Sequence, residues 1–520
     1  MTMIPGKFCQ GACVLAIMML VACKPDADKQ SRQAPNIILF FVDDMGWQDT
    51  SVPFWKERTA FNQRYRTPNM ERLAAEGMKF TQAYATPVCS PTRISLMTGM
   101  NAARHRVTNW TLYKDKLQPM ETGHATLDFP YWNVNGMTPD STLDHAVYAN
   151  AFPYLLQGAG YHTIHVGKAH LGAIGTPAEN PLNVGFDVNI AGHAAGAPKS
   201  YLGMENFGNT AAFEGSPWPV PGLDKYHGQD IFLTEALTQE AVAALDKPVN
   251  EKQPFFLYMS LYAVHTPIMA DKRFLQPYLD MGLDSIEASY ATLVEGMDKS
   301  LGNLMDYLET KNIQDNTIIM FMSDNGGLSA VARGGEKHTH NKPLSSGKGS
   351  IHEGGIREPM IVKWPGVVQP QTVNDNYLII EDFYPTILEM AGVENYQPVQ
   401  QVDGESFVYL LKNNESGQTA QRPLFWHYPN QWGPTGPGIG AFSAVRLGDW
   451  KYIYYHMDQR VELFNLKNDI GESVNLAEEN PGKATELAAV LTAYLQECNA
   501  QMPSLKSTGT PVPYPQQLLN

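Results

Sequence analysis

The sequence predicts an α/β domain built on a mostly parallel, mixed sheet flanked by helices, followed by a small α+β domain with an antiparallel sheet. Three observations predict it. Apolar runs of buried-strand length recur at residues 36–42, 163–166, 255–259 and 317–322, and each leads to charged or polar residues. Helix-like stretches at residues 70–77 and 288–311 fall between them, the alternation that lays helices over a parallel sheet. Over residues 401–422 the rhythm changes, and a Pro/Gly-rich stretch (429–440) leads into short strand-like segments around the turn Gly448-Asp449, then a helix-like stretch at 483–495. The domain boundaries expected from this are residues 36–420 and 421–520.

The chain's 520 residues suffice for a large domain with a companion, and 43% apolar with 18% charged residues is a globular composition. With 38 basic and 53 acidic side chains the formal net charge is -15, so no nucleic-acid partner is expected, because nonspecific affinity comes from phosphate neutralisation. A small anionic substrate needs a local basic pocket that works against this field.

The first segment reads as an address. Lys7 supplies a positive start, and residues 8–22 are mostly apolar but too few to span a bilayer comfortably. They end in Leu20-Val21-Ala22-Cys23, which resembles a bacterial lipobox. Residues 1–22 are therefore expected to be a lipoprotein signal peptide and residues 23–35 a linker. Cys23 is expected to be lipidated, which would anchor an exported protein to a bacterial membrane, in the periplasm or at the cell surface. Cys9 and Cys13 leave with the signal, so Cys89 and Cys498 remain in the body. A disulfide between them stays open but is disfavoured, since Cys498 falls in a polar helix-like stretch and Cys89 in a loop whose neighbours suggest chemistry.

The strand ends carry the polar cargo: Asp43-Asp44-Met45-Gly46, Gly167-Lys168, His265-Thr266-Pro267 and Asp324-Asn325-Gly326-Gly327. Ligand sites in such sheets form outside the carboxyl ends of the strands, so these four clusters are expected to meet. Asp43, Asp44, Asp324 and Asn325 offer only oxygen, which favours Ca²⁺ or Mg²⁺ over zinc. Cys89 precedes an expected helix, with Pro91 in its first turn and Gly99 at its end. The N-terminus of that helix presents unpaired N–H groups to an anion, with Arg93 near the same end.

Cys89-Ser90-Pro91-Thr92-Arg93, followed by Leu96-Met97-Thr98-Gly99, resembles the signature of the type I sulfatase family within the alkaline phosphatase-like superfamily. The resemblance extends in order through the Asp43 cluster, Gly167-Lys168-Ala169-His170-Leu171-Gly172, His265-Thr266-Pro267, Ser323-Asp324-Asn325-Gly326, and Gly347-Lys348-Gly349-Ser350 with Glu353-Gly354-Gly355-Ile356-Arg357-Glu358-Pro359. It implies that Cys89 is converted to formylglycine, by a formylglycine-generating or an anaerobic sulfatase-maturating enzyme. One hydroxyl of the hydrated aldehyde then attacks sulfur and the other later expels sulfate. It also implies Ca²⁺ held by Asp43, Asp44, Asp324, Asn325 and residue 89. Arg93 and Lys168 would stabilise the formylglycine, His170 would deprotonate its remaining hydroxyl, and His265 with Lys348 would face the ester oxygen, His265 as general acid. Ala169, Ser345-Ser346 and His352 depart from the family's usual residues without removing a catalytic group.

Substrate contacts are expected from residues 104–111, which hold His105, Asn109 and Trp110, and from His338, His340 and Asn341, with His427 and Trp432 contributing from the C-terminal domain. The expected substrate is a sulfated oligo- or polysaccharide. A galactose or N-acetylgalactosamine sulfate is favoured, with O4 as the first position to test, in an algal galactan such as carrageenan or in a glycosaminoglycan. A phosphoester hydrolase on the same fold and a noncatalytic sulfated-glycan-binding lipoprotein are the two rivals.

Overall fold

Strand β1 (Asn36–Val42) is apolar at all but its first position and buried throughout, because helices cover the sheet on both faces. Its side chains alternate between two cores: Ile37, Leu39 and Phe41 enter one, Ile38, Phe40 and Val42 the other. Each of these large side chains contributes roughly 1.5–3 kcal/mol by leaving water. The computed structural model describes residues 34–117 and 124–519, with residues 1–3 and 6. The expected lipidation at Cys23, and nearly all of the expected signal peptide and linker, lie outside the described residues. Among the described residues no helix is long and apolar enough to cross a membrane.

The other large-sheet strands are β2 (Met78–Tyr84), β3 (His162–Gly167), β4 (Val188–Ile190), β5 (Phe255–Ser260), β6 (Thr317–Ser323), β7 (Arg357–Lys363), β8 (Thr372–Asn374) and β9 (Leu378–Ile379). Their order is β8-β2-β7-β6-β1-β5-β3-β4, with β9 also beside β2. Every pairing is parallel except those of β7, which runs antiparallel to β2 and β6. The four sequence-predicted strands are thus β1, β3, β5 and β6, four neighbours in one parallel block. Their registers are in step: Phe41 pairs with Ser260 and Met322, and Gly167 with Ser260. In-step registers bring the carboxyl ends, and so the polar clusters, to one edge.

β2 and β7 are strands that the sequence reading did not predict. Arg357-Glu358-Pro359 opens β7 with two charges and a proline, residues depleted from strands, and the strand's register shifts between Glu358 and Met360 where the proline falls.

The helices that matter to the site are α1 (Pro68–Glu76), α2 (Cys89–Thr98), α3 (Leu233–Glu251), α4 (Ser285–Thr310) and α5 (Phe383–Met390). All ten residues of α2 are buried, and Gly99 ends it in the left-handed region at φ 68°. The second sheet is antiparallel, β10 (Leu424–Tyr428), β11 (Phe442–Leu447), β12 (Trp450–Tyr455) and β13 (Val461–Asn465), backed by α6 (Pro481–Glu497). Cys498 follows α6, and both Cys89 and Cys498 are free thiols, so the disulfide left open by the sequence is not formed.

A buried ionic knot joins the two sheets. Lys451 Nζ of β12 lies 2.9 Å from Glu353 Oε1 and 2.8 Å from Glu472 Oε1, and Glu353 Oε2 accepts from Tyr84 and Arg357. Glu353 opens the single helical turn Glu353–Ile356 that precedes β7, shortly after Lys348, so the small sheet fixes a loop of the site. Removing the lysine takes from the buried Glu472 its paired cation and leaves Glu353 with Arg357. We predict that Lys451→Met destabilises the protein by about 3–5 kcal/mol, read as a lower denaturant midpoint. An unchanged midpoint would show that the knot contributes nothing.

Candidate active site

Three carboxylates with no solvent exposure, Asp43, Asp44 and Asp324, crowd the ends of the adjacent strands β1 and β6. Three cations compensate them. Arg93, from the first turns of α2, donates from Nε and Nη2 to Asp324 Oδ2 at 3.0 and 2.8 Å, and from Nη1 to Ser260 Oγ at 2.6 Å and the Lys168 carbonyl at 3.2 Å. One guanidinium thus ties α2 to the ends of three strands. Lys168 Nζ donates to Asp43 Oδ2 at 2.7 Å, and Lys348 Nζ reaches both Asp44 oxygens at 2.6 and 2.9 Å. Burial, then the Asp324 charge, pushes the Asp43 carboxyl well up, whereas at Asp44 burial is outweighed by Lys348, His265 and Lys168 together, which hold it low.

Two buried acceptors in this cluster have no hydrogen-bond partner, Asp43 Oδ1 and Asn325 Oδ1; the Asn325 amide donates to Asp44 Oδ1 at 2.7 Å instead. Buried acceptors without donors are costly, and a hard cation satisfies them. The ligand atoms of Asp43, Asp44, Cys89 and His265 all lie within 4.8 Å of one another. The residues present fit an oxygen-ligated cation.

Cys89 stands at the first position of α2, at the floor of a cleft of about 600 Å³. Burial raises its thiol pKa, but Lys168, Lys348 and a hydrogen bond with His265 bring it down to about 6. His170 is buried, and its Nε2–H donates to the Thr111 carbonyl at 2.9 Å, which leaves Nδ1 a buried acceptor without a donor. Burial, reinforced by Lys168, holds the ring neutral. His265 donates from Nδ1 to its neighbour's carbonyl at 2.9 Å, so Nε2 turns inward, 3.5 Å from Asp44 Oδ2. Burial and Lys348 lower its pKa, but the Asp44 and Asp43 carboxylates prevail and the net shift is upward. The structure therefore brings all ten sequence-assigned catalytic and metal positions into one site.

The expected sugar contacts fare differently. Of those six residues only Trp110 lines the cleft. His105 is fully buried, with Nε2 on Ser95 Oγ and Nδ1 accepting from Val107 N, and Asn109 accepts from Tyr428. His340 spends its ring on Ser329 and Gly334, and the Asn341 amide ties Gly327 to Ser346. His338 packs beside Gly436 with Nδ1 near Ser346 Oγ. These polar side chains hold loops together, a use that sequence cannot separate from sugar binding. His427 is likewise tied to Ser443 and Gln501, whereas Trp432 does line the cleft. Its indole lies against Gly349, where any Cβ would overlap it and where φ is 85°. Lys199 and Trp218 also line the cleft and were missed; Ser216-Pro217-Trp218-Pro219, an aromatic in a proline-rich loop, was the available signal.

Two departures from the family pattern form a unit. Ser345 Oγ meets His352 Nδ1 at 2.9 Å, and His352 Nε2 meets Glu462 Oε2 of β13 at 3.1 Å, a second tie between the sheets.

Fold and site together define a hydrolase of anionic esters on an alkaline phosphatase-like sheet. The family model described as Sulfatase matches residues 35–393, and that described as N-sulphoglucosamine sulphohydrolase, C-terminal, matches residues 347–501. A protein named Sulfatase from Formosa agariphila is 30% identical over 94% of each chain. The N-acetylgalactosamine-6-sulfatase of Homo sapiens is 32% identical over 91% of this chain and 87% of its own. Among solved structures, Ps i-CgsB in complex with k-i-k-neocarrahexaose superposes with a TM-score of 0.70 at 27% identity, covering 94% of this chain and 97% of that one. The chain belongs to the sulfatase family, and it is a sulfuric ester hydrolase.

With Cys89 still a thiol and no cation bound, alkylation should follow the thiolate fraction. We predict a rate that rises with pH through a midpoint near about 6, and a midpoint that moves upward in Lys348→Met. A midpoint at the ordinary thiol value of about 8.5 in the parent protein would contradict the electrostatics described.

Proposed function

We propose that the protein removes an O-sulfate group from a sulfated carbohydrate, with Cys89 as the precursor of its formylglycine nucleophile and Ca²⁺ held by Asp43, Asp44, Asp324, Asn325 and residue 89. The observation that carries this reading is the placement of Cys89. It sits at a helix N-terminus between two lysines, beside a carboxylate cluster with two unsatisfied oxygens. When present, the two groups supply a hydroxyl nucleophile and neutralisation of the sulfate's negative charge.

The chain's own residues do the rest. Lys168 and Lys348 concentrate positive charge where sulfate oxygens develop charge, and Arg93 keeps Asp324 and α2 in place. His170 Nδ1 is free to accept the proton whose departure releases sulfate, because Nε2 is committed to Thr111. His265 Nε2 donates a proton to the departing sugar oxygen, with Lys348 alongside. The name N-acetylgalactosamine-6-sulfatase and the k-i-k-neocarrahexaose in Ps i-CgsB support a galactose or N-acetylgalactosamine sulfate, and O6 joins O4 as a position to test. We also propose conversion of Cys89 by a dedicated maturating enzyme and membrane anchoring through Cys23; membrane fractionation of Cys23→Ala tests the anchor, which predicts its release into the soluble fraction.

Defined galactose and N-acetylgalactosamine sulfates, assayed beside the corresponding phosphates, test the activity. Matured enzyme should release sulfate and not phosphate, His265→Ala should lower kcat by about 10²–10⁴-fold, and Cys89→Ala should abolish turnover. Preferential phosphate release, or sulfate release that survives Cys89→Ala, would overturn the reading. The cation is tested without turnover. After chelation, added Ca²⁺ should raise the melting temperature of the parent protein and not of Asp324→Ala; equal shifts in both would place the ion elsewhere.

A further inference from the structure

In a chain with 53 acidic and 38 basic side chains, no aspartate or glutamate among the described residues lines the cleft. Its lining cations are Lys348 and Lys199, apart from the histidines. Lys348 is committed to Asp44. Lys199 differs: among the described residues no carboxylate lies within ion-pairing distance of its Nζ, which rests over the Phe213 ring at 4.0 Å from the centroid. Its backbone N–H is fixed to the Trp218 carbonyl at 2.8 Å, so lysine and tryptophan are presented as a pair. Lys199 belongs to the same short loop as Gly196, which abuts the His170 ring. Trp110 and Trp432 provide further aromatic wall.

On a half-buried lysine, an ammonium that rests on an aromatic face and has no carboxylate counter-ion among the described residues is poised for an anion brought by a ligand. The catalytic position already has Lys168 and Lys348 for the sulfate under attack. We propose that Lys199 recognises a second anionic group, carried by the sugar next to the one that loses its sulfate, while Trp218 stacks on that neighbouring ring. The enzyme thereby selects polyanionic chains over singly sulfated sugars. This inference rests on the proposed carbohydrate substrate and names a subsite for it.

Binding tests it separately from catalysis. The Cys89→Ala protein is titrated calorimetrically with three galactose-based disaccharides that share one sulfated sugar. The neighbouring sugar is neutral in the first, sulfated in the second and a uronate in the third. Adding Lys199→Met should raise Kd for a dianionic disaccharide by about tenfold and abolish most of its preference over the neutral-neighbour one, whereas Lys199→Arg should keep that preference. The salt dependence of dianion binding should fall with Lys199→Met. A loss confined to the second ligand assigns the subsite to sulfate, a loss confined to the third assigns it to carboxylate, and a loss in both assigns it to anions generally. Equal effects on all three ligands, or none, overturn the proposal. Failure of the hydrolase reading would appear instead in sulfate-release assays of the matured enzyme.

Discussion

Three fully buried carboxylates at the ends of two neighbouring strands set the constraint on which the rest of this structure depends. Buried charge is costly unless it is paired and hydrogen-bonded, and here the pairing draws on distant parts of the chain. Arg93 comes from α2, Lys168 from the end of β3 and Lys348 from the loop before β7. Because each cation is itself enclosed, the arrangement closes only if α2, the parallel block and the loop around residue 348 are all in place. The need to compensate Asp43, Asp44 and Asp324 thus couples the fold's integrity to the shape of its site.

The same constraint explains the polarity of the two faces of the cluster. Toward the sheet, Arg93 and Ser260 satisfy Asp324 and the Lys168 carbonyl. Toward the cleft, Asp43 Oδ1 and Asn325 Oδ1 remain without donors, beside Cys89 and His265. A site with unsatisfied oxygen donors next to a nucleophile position suits a hard cation and an anionic ester together. The small sheet has a mechanical share in this, since Lys451 and Glu462 hold Glu353 and His352, and through them the loop that carries Lys348 and Gly349.

The parallel block was legible in the sequence because its four strands are apolar runs with polar residues beyond their carboxyl ends, and Asp43, Asp44, Lys168, His170, His265, Asp324 and Asn325 fall in or beside those polar residues, whereas Lys348 was legible only through the family resemblance. The helix after Cys89 was legible through Pro91 and Gly99. β7 was not, since Arg357, Glu358 and Pro359 open it with residue types depleted from strands, and the pairing of Arg357 with Glu353 shows only in the fold. Substrate contacts were read poorly for a related reason: His105, Asn109, His340 and Asn341 have the chemistry of sugar ligands, but in the fold that chemistry is spent on loop carbonyls and hydroxyls. Lys199 and Trp218 lie in a region without periodicity, where nothing local announces that the loop returns to His170.

The central claim is that this electrostatic site exists to serve a modified residue 89. Mass spectrometry of the peptide containing residue 89, taken from protein made in its native host and found in its proper compartment, tests that claim most directly. The account predicts the mass of formylglycine at position 89, with the peptide reactive toward carbonyl reagents. A free thiol at that position in fully active protein would contradict it.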